Sequence, residues 1–263
     1  MAAAARYQAR KLAHPAARAV MLVAVAILLT GCIQTTRRAD PALEASPPEI
    51  RSVLLMPPDV TLARLTTGGV EEVEPDWTAA ARRNLADALQ VALAARVVDL
   101  VAYAPADEEG ARMPAEDLAL VRLHRLVAAA VLQYKYGAAR LPTKKGRFDW
   151  TLGGTARRLA GRFGAQYGLF IHVHDTYASW GRKIVATLAG GLGIYLPQGE
   201  TIGFASLVDL RTGQLVWAQL LRSRFADLRR PEGAEEVAAA LLRGFPTDRR
   251  GPPAEPAAEE AKP

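Results

Sequence analysis

Eleven uninterrupted apolar residues, 19–29, decide which part of this chain can become a folded domain. Arg6, Arg10, Lys11 and Arg18 precede the run without any acid, and the small residues Thr30 and Gly31 follow it. The run falls short of the roughly 20 residues that a membrane-spanning helix needs. A basic start, a short apolar centre and small residues at its end form the pattern of a secretory leader that is cut away. Residues 1–31 are therefore expected to leave the mature protein. They take four of the six net positive charges with them, leaving a nearly balanced chain of about +2. That balance excludes a global field for nucleic acid. Half of all residues are apolar, enough for a substantial core, and the length that remains fits one domain.

The sole cysteine of the chain, Cys32, directly follows Leu29, Thr30 and Gly31. This run resembles the bacterial lipobox, in which the leader is cut before a cysteine that then carries lipid. The resemblance implies three acyl chains on Cys32, and an anchor of two or more chains is effectively permanent. One cysteine cannot close an internal disulfide, so the count agrees with a capped thiol. Ile33, in place of the aspartate that marks retention at the inner membrane, implies the outer membrane, with the domain facing the periplasm. Residues 32–49 read as the lipidated cysteine and a polar tether ending in Ser46-Pro47-Pro48. Residues 50–245 read as a single domain. Residues 246–263, rich in Pro, Ala and Glu, read as a disordered tail.

Within the domain, strand and helix signals alternate. Residues 50–56 form an apolar run stopped by Pro57-Pro58, as a buried strand would. Residues 60–66 and 70–73 flank Gly68-Gly69, which predicts a hairpin. Asp76 is placed to cap a helix in which Trp77, Ala81, Leu85, Ala88, Leu89 and Ala92 share one face. Residues 97–103 predict a strand, and Pro114 opens a helix to about Tyr134. A short helix over 155–163 stops at Gly164. Residues 167–174 predict a strand, and 202–210 with 214–221 the clearest hairpin, turned by Asp209-Leu210-Arg211-Thr212-Gly213. A last helix opens at Pro231 and closes at Arg243-Gly244. The expected fold is α/β, a mixed sheet with a C-terminal antiparallel hairpin, flanked by helices and preceded by signal peptide and tether.

Three pieces then align. Ser52-Val53-Leu54-Leu55-Met56 precedes Pro-Pro; Gly164-Ala165-Gln166-Tyr167-Gly168-Leu169-Phe170-Ile171 follows the second helical region; and Leu207-Val208-Asp209-Leu210-Arg211-Thr212-Gly213-Gln214-Leu215-Val216-Trp217 closes the sheet. Together they resemble bacterial envelope lipoproteins with the TolB amino-terminal type of α/β domain, the group that includes the curli-secretion lipoprotein. The resemblance implies a non-enzymatic envelope role in assembly or secretion and an envelope protein as partner. It also brings in a homo-oligomeric secretion-channel subunit as an alternative, although alternating strands of about ten residues that would line a barrel are not evident. Fold by itself does not fix the role.

Few residues offer chemistry. His172 and His174, two apart in a strand, project from one face, and Asp175 follows. Such a set is a weak metal site, and a metal-dependent envelope enzyme using these three residues is the second alternative. The commoner explanation is a polar strand face with satisfied histidines, and no cofactor is expected. Zinc-protease, serine-hydrolase and phosphate-loop signatures are missing, and Gly190-Gly191-Leu192-Gly193 lacks phosphate-loop spacing. A basic stretch with interleaved aromatics, including Lys144, Lys145, Arg147, Trp150, Arg157, Arg158 and Arg162, has only Asp149 among it and suits anionic headgroups or an acidic partner. Residues 184–196, from Ile184 through Leu192, form an apolar connection expected to be a short helix closing the core, with partner, oligomer or membrane contact as the other uses. No nucleic-acid partner is expected of an exported domain.

Overall fold

The computed structural model describes residues 34–39, 50–97, 99–105, 112–136, 141–142, 144, 147–224 and 226–246. The expected leader, Cys32, Lys145, residues 40–49 of the expected tether and residues 247–263 of the expected tail lie outside them.

A mixed, eight-stranded sheet runs in the order β1-β8-β7-β6-β2-β5, with β3 beside β6 and β4 beside β3. Its strands are β1 (Gln34–Ala39), β2 (Ser52–Leu55), β3 (Asp59–Leu65), β4 (Glu71–Val73), β5 (Asp99–Ala102), β6 (Tyr167–Ala178), β7 (Thr201–Asp209) and β8 (Leu215–Ser223). The helices are α1 (Pro75–Ala94), α2 (Ala115–Val131), α3 (Arg157–Phe163), α4 (Trp180–Gly191) and α5 (Pro231–Leu241). The α/β class and the C-terminal hairpin expected from the sequence are both present.

Alternation along β6 divides the core in two. Tyr167, Leu169, Ile171 and Val173 point to one face, where α1 contributes Ala81, Leu85, Leu89 and Leu93, and α5 contributes Val237, Ala238 and Leu241. Phe170 points to the other face, where it packs with Phe204 and Val208 of β7, with Leu120, Val121 and Ala128 of α2 and with Leu159 of α3. Each buried leucine is worth roughly 1.5–3 kcal/mol, so both layers of helices have a reason to stay.

The proline pair ends β2, as the sequence predicts, and β3 takes up the same side of β6 beyond it. Leu55 faces Leu169 and Asp59 faces His172, so β2 and β3 follow one another along β6 with a single extra residue between them. Prolines cannot donate to the ladder, which confines them to such an irregularity. Beyond it the chain returns to the ladder. The Thr67-Gly68-Gly69 hairpin and the α3 stop at Gly164, in the left-handed conformation at φ 65°, are where the sequence puts them. At α1 the structure corrects one detail: the N-cap is Glu74, and Asp76 lies inside the first turn. Pro75 takes the first helical position because its fixed φ and missing N–H suit it.

Two segments behave otherwise than expected. Residues 34–39, within the expected tether, form β1 and pair antiparallel with β8 from Gln34↔Arg222 to Ala39↔Trp217. Without β1 the outer edge of β8 would present unpaired backbone groups. Arg243, just beyond α5, adds a hydrogen bond from its guanidinium to Thr35 Oγ1 at 3.0 Å. The apolar connection is helical, as α4, but it leaves Trp180, Ile184, Val185 and Leu188 exposed instead of closing the core. Among the described residues no helix is long and apolar enough to cross a membrane.

Candidate functional site

The longest strand, β6, ends in an open groove. Thr176 and Ala178 donate their N–H groups to the carbonyls of Glu200 and Gln198, at 3.1 Å each, which extends the β7 ladder past Thr201. Gly199 makes this approach possible. It sits at φ 115°, and a Cβ there would lie 2.2 Å from the Thr176 carbonyl oxygen. The groove, with a volume of about 740 Å³, lies between this ladder extension, the first turns of α1 and α4, and the segment after β8.

Asp175 forms its floor. Strand alternation turns it away from His172 and His174, toward the α1 face. Its carboxylate is buried and accepts from Tyr177 Oη in a short contact and from Thr201 Oγ1 at 2.8 Å. Burial pushes the Asp175 carboxyl up to about 6, and the hydrogen bonds from Tyr177 and Thr201 only partly offset it. Tyr177 is raised as well, first by burial and then by the neighbouring Asp175 carboxylate. Tyr177 Oη in turn accepts from the Leu228 N–H at 3.1 Å.

Arg229 forms one wall. Its guanidinium lies 4.2 Å from the Tyr177 ring centroid and 4.8 Å from that of Trp77, the two rings meeting edge to face at 5.8 Å. Asp227 holds it through Nε at 2.8 Å and a second nitrogen at 2.9 Å. A cation fixed between aromatic faces and paired to a carboxylate is preorganised. Across the groove Arg224 lies 5.7 Å over Tyr195. Aromatic faces and guanidinium groups around a buried carboxyl make a surface for binding a polar partner that offers both flat and charged groups. Replacing Tyr177 by Phe is expected to leave the Leu228 N–H without this acceptor, at a cost of about 1–3 kcal/mol. It should also raise the Asp175 carboxyl further, because a hydrogen bond that favours the charged form is lost. Urea unfolding and carboxyl-carbon NMR titration check the two effects.

His172 and His174 share one face, as the alternation requires, but each is engaged separately. His172 Nδ1 lies 3.2 Å from Asp59 Oδ2, and His174 Nε2 lies 2.9 Å from Glu71 Oε2. Asp175 is on the opposite face, so the three residues do not converge. Among the described residues no group of three or more potential ligands could hold a metal ion. The strand also continues to Ala178, so Asp175 does not stand at its end.

A second polar cluster lies under α2. His124 is fully buried between Phe170 and Phe204, with ring centroids 5.3 and 5.8 Å away, and its Nε2 meets Ser206 Oγ at 2.8 Å. Burial, and behind it the charge of nearby His172, pushes the His124 imidazole down to about 3. Both members of this serine–histidine pair are sealed from solvent, and the pair serves as a satisfied polar contact within an apolar layer. Beside it Arg125 grips Asp59 through two nitrogens, the longer contact being 2.7 Å.

The basic stretch is largely neutralised where it is described. Arg158 pairs with Glu116 and Arg162 with Asp117, both acids coming from the start of α2. Lys144 pairs with Asp149 at 2.9 Å and lies 4.5 Å over the Trp150 ring. Arg147 is exposed, 3.9 Å from Asp149, and Arg157 donates to the Arg211 carbonyl at 3.2 Å. The sequence carried no sign of the pairing with α2, because those acids lie more than 40 residues away.

No protein-family model matches the chain, and no curated protein does. Solved structures similar to it in chain course include two forms of one protein. The PelC dodecamer from Paraburkholderia phytofirmans is 14% identical, with a TM-score of 0.38, and covers 82% of this chain and 99% of its own. A point variant of that dodecamer in another space group is also 14% identical, with a TM-score of 0.36, and covers 83% of this chain and 99% of its own.

Proposed function

We propose that this chain is a lipid-anchored protein of the bacterial envelope, facing the periplasm, that binds another envelope component without catalysing a reaction. The observation that carries this is the run Leu29-Thr30-Gly31-Cys32 at the end of the leader. Only Ile33 separates Cys32 from Gln34 in the sequence, so a lipid on Cys32 would tie the sheet to the membrane through β1. The turn that carries the family resemblance also folds as a structural piece. Asp209 Oδ1 accepts the N–H groups of Arg211 at 2.8 Å and Thr212 at 3.2 Å, and Gly213 sits at φ 77°.

The groove at the end of β6 is the surface assigned to the partner. Its aromatic and guanidinium walls are built for contact, and Asp175 is already held by two side chains. The metal-enzyme alternative is disfavoured by the separate engagement of His172 and His174 and by the turn of Asp175 to the other face.

Replacing Cys32 by Ala is expected to remove fatty-acid incorporation and to move the protein from the membrane fraction to the soluble one. An unchanged membrane fraction would overturn the anchor. A photo-crosslinker at Lys183, on the rim of the groove, is expected to capture an envelope component in intact cells. Equal capture from Val91, exposed near the far end of α1 and outside the groove, would remove the groove from the proposal.

A further inference from the structure

The geometry points to the outward face of α4 as a membrane-interfacial surface, lying in the headgroup region of the bilayer that the Cys32 lipid enters; this rests on the anchor proposed above. The helix has two opposite faces. Arg182 and Ala186 are buried, with Arg182 Nε bonding the Pro197 carbonyl at 3.0 Å. The other side carries Trp180, Ile184, Leu188 and Leu192, four residues apart, so they form one stripe along the helix. Trp180 is 78% exposed, Leu188 67% and Leu192 80%. Ile194 and Tyr195 continue the exposed surface past the end of the helix. Isolated exposed apolar residues are ordinary, whereas a contiguous stripe marks a surface that meets something.

The sheet register says what it meets. Gln34 of β1 faces Arg222 of β8, Arg222 faces Ile202 of β7, and Ile202 faces His174 of β6. These four residues form one row across the sheet. β1 enters the sheet at this row, while β6 leaves it toward Ala178 and passes directly into α4 at Trp180. The lipid and α4 thus belong to the same end of the sheet. Only one residue, Ile33, stands between Cys32 and Gln34 in the sequence, so a lipidated Cys32 ties that end of the sheet to the bilayer. The chemistry agrees. Trp180 at one end and Tyr195 at the other, both also bordering the groove, are residues favoured at membrane interfaces. Twelve residues give a helix of about 18 Å, too short for a hydrocarbon core of about 30 Å, so α4 lies in the interface plane.

The test uses the full-length lipidated protein in vesicles of phosphatidylethanolamine and phosphatidylglycerol. Lipid blocks the Cys32 thiol, so a Leu188→Cys variant carries a single reactive site for an environment-sensitive fluorophore. Val91→Cys is the control. It is 76% exposed on α1 and stands sixteen residues from Pro75, about 24 Å along a helix that runs away from the α4 end. Brominated lipid is expected to quench the label at position 188 at least about three-fold more than the label at position 91, with a blue shift, as for an interfacial helix. Equal quenching at the two positions would overturn the seat. So would a label at 188 that is shielded from aqueous iodide yet out of reach of brominated lipid, which would place a second copy of the chain there. The mass of the N-terminal peptide from the same preparation reports the anchor separately. Acylated Cys32 with a water-exposed label overturns the seat alone, and unacylated Cys32 overturns the anchor and the seat with it.

Discussion

Replacing Asp175 by Asn is expected to turn a stability profile that is nearly flat between about pH 6.5 and 4 into one that falls by about 3 kcal/mol over the same range. Two buried groups of opposite sign produce the flat profile. His124 is pushed down from 6.5 to about 3 by burial, with the charge of His172 adding to it. Between those values the unfolded chain binds a proton that the folded one refuses. Stability is therefore lost as pH falls through this window, at about 1.4 kcal/mol per unit. Asp175 is pushed up from 3.8 to about 6, chiefly by burial. Here the folded state holds the proton more tightly, so the contribution is fully present below 3.8 and is lost as pH rises through 6. The two slopes oppose each other over nearly the same interval, and each amounts to about 3 kcal/mol.

The single variants should therefore diverge. Asp175→Asn removes the compensation and exposes the acid loss caused by His124. His124→Gln keeps a group able to reach Ser206 and should show the reverse, gaining stability as pH falls from 6 to 4. Below about pH 4 the wild type should lose stability steeply, with Asp59 adding to His124. Burial raises the Asp59 carboxyl, but hydrogen bonds from His172 and Arg125 outweigh it and hold the group well below its ordinary value. Its contribution is present above 3.8 and is lost as the carboxylate protonates on further acidification. Urea midpoints measured across pH for the three proteins check this. Parallel curves for the wild type and Asp175→Asn would refute it.

Gly199→Ala is the second large effect expected. At φ 115° a side chain is strained by about 1–3 kcal/mol. The added Cβ would also meet the Thr176 carbonyl oxygen at 2.2 Å and the Thr176 carbonyl carbon at 3.1 Å. Both contacts are with backbone, which cannot turn aside as a side-chain end can. The ladder through Glu200 and Gln198 must then separate, at a total cost of about 3 kcal/mol or more, which is on the order of 10 °C in Tm for a domain of this size. Faster hydrogen exchange at the Thr176 and Ala178 amides would place the damage at the mouth of the groove. A Tm within 2 °C of the wild type would show that the ladder extension does not hold that region.

Much of the fold was legible in the residues. Alternation gave β6 its two faces, Gly164 marked the α3 stop, and Asp209 with Gly213 marked the β7–β8 turn, because these signals act within a few residues of backbone. The groove was legible only in pieces. Asp175 is marked in the sequence by the two histidines beside it, whereas nothing local marks Tyr177, Thr201 and Arg229 as its neighbours. Alternation along a strand already requires Asp175 to face away from His172 and His174.

The sequence by itself determined the placement of the sole cysteine after an apolar run, the order of most strands and helices, and the amphipathic pattern of α1. Each follows from local backbone preference or from residue spacing along one element. Only the tertiary structure decided that residues 34–39 pair with β8, that Glu116 and Asp117 neutralise the basic stretch, and that Asp59 reaches His172 across 113 residues of chain. It alone decided which side of α4 is covered. An apolar stripe states that a helix has two kinds of face. Which of them meets the protein depends on what the rest of the chain has already packed into the core, and here the two layers filled by α1, α2, α3 and α5 left the stripe of Trp180, Ile184, Leu188 and Leu192 facing outward.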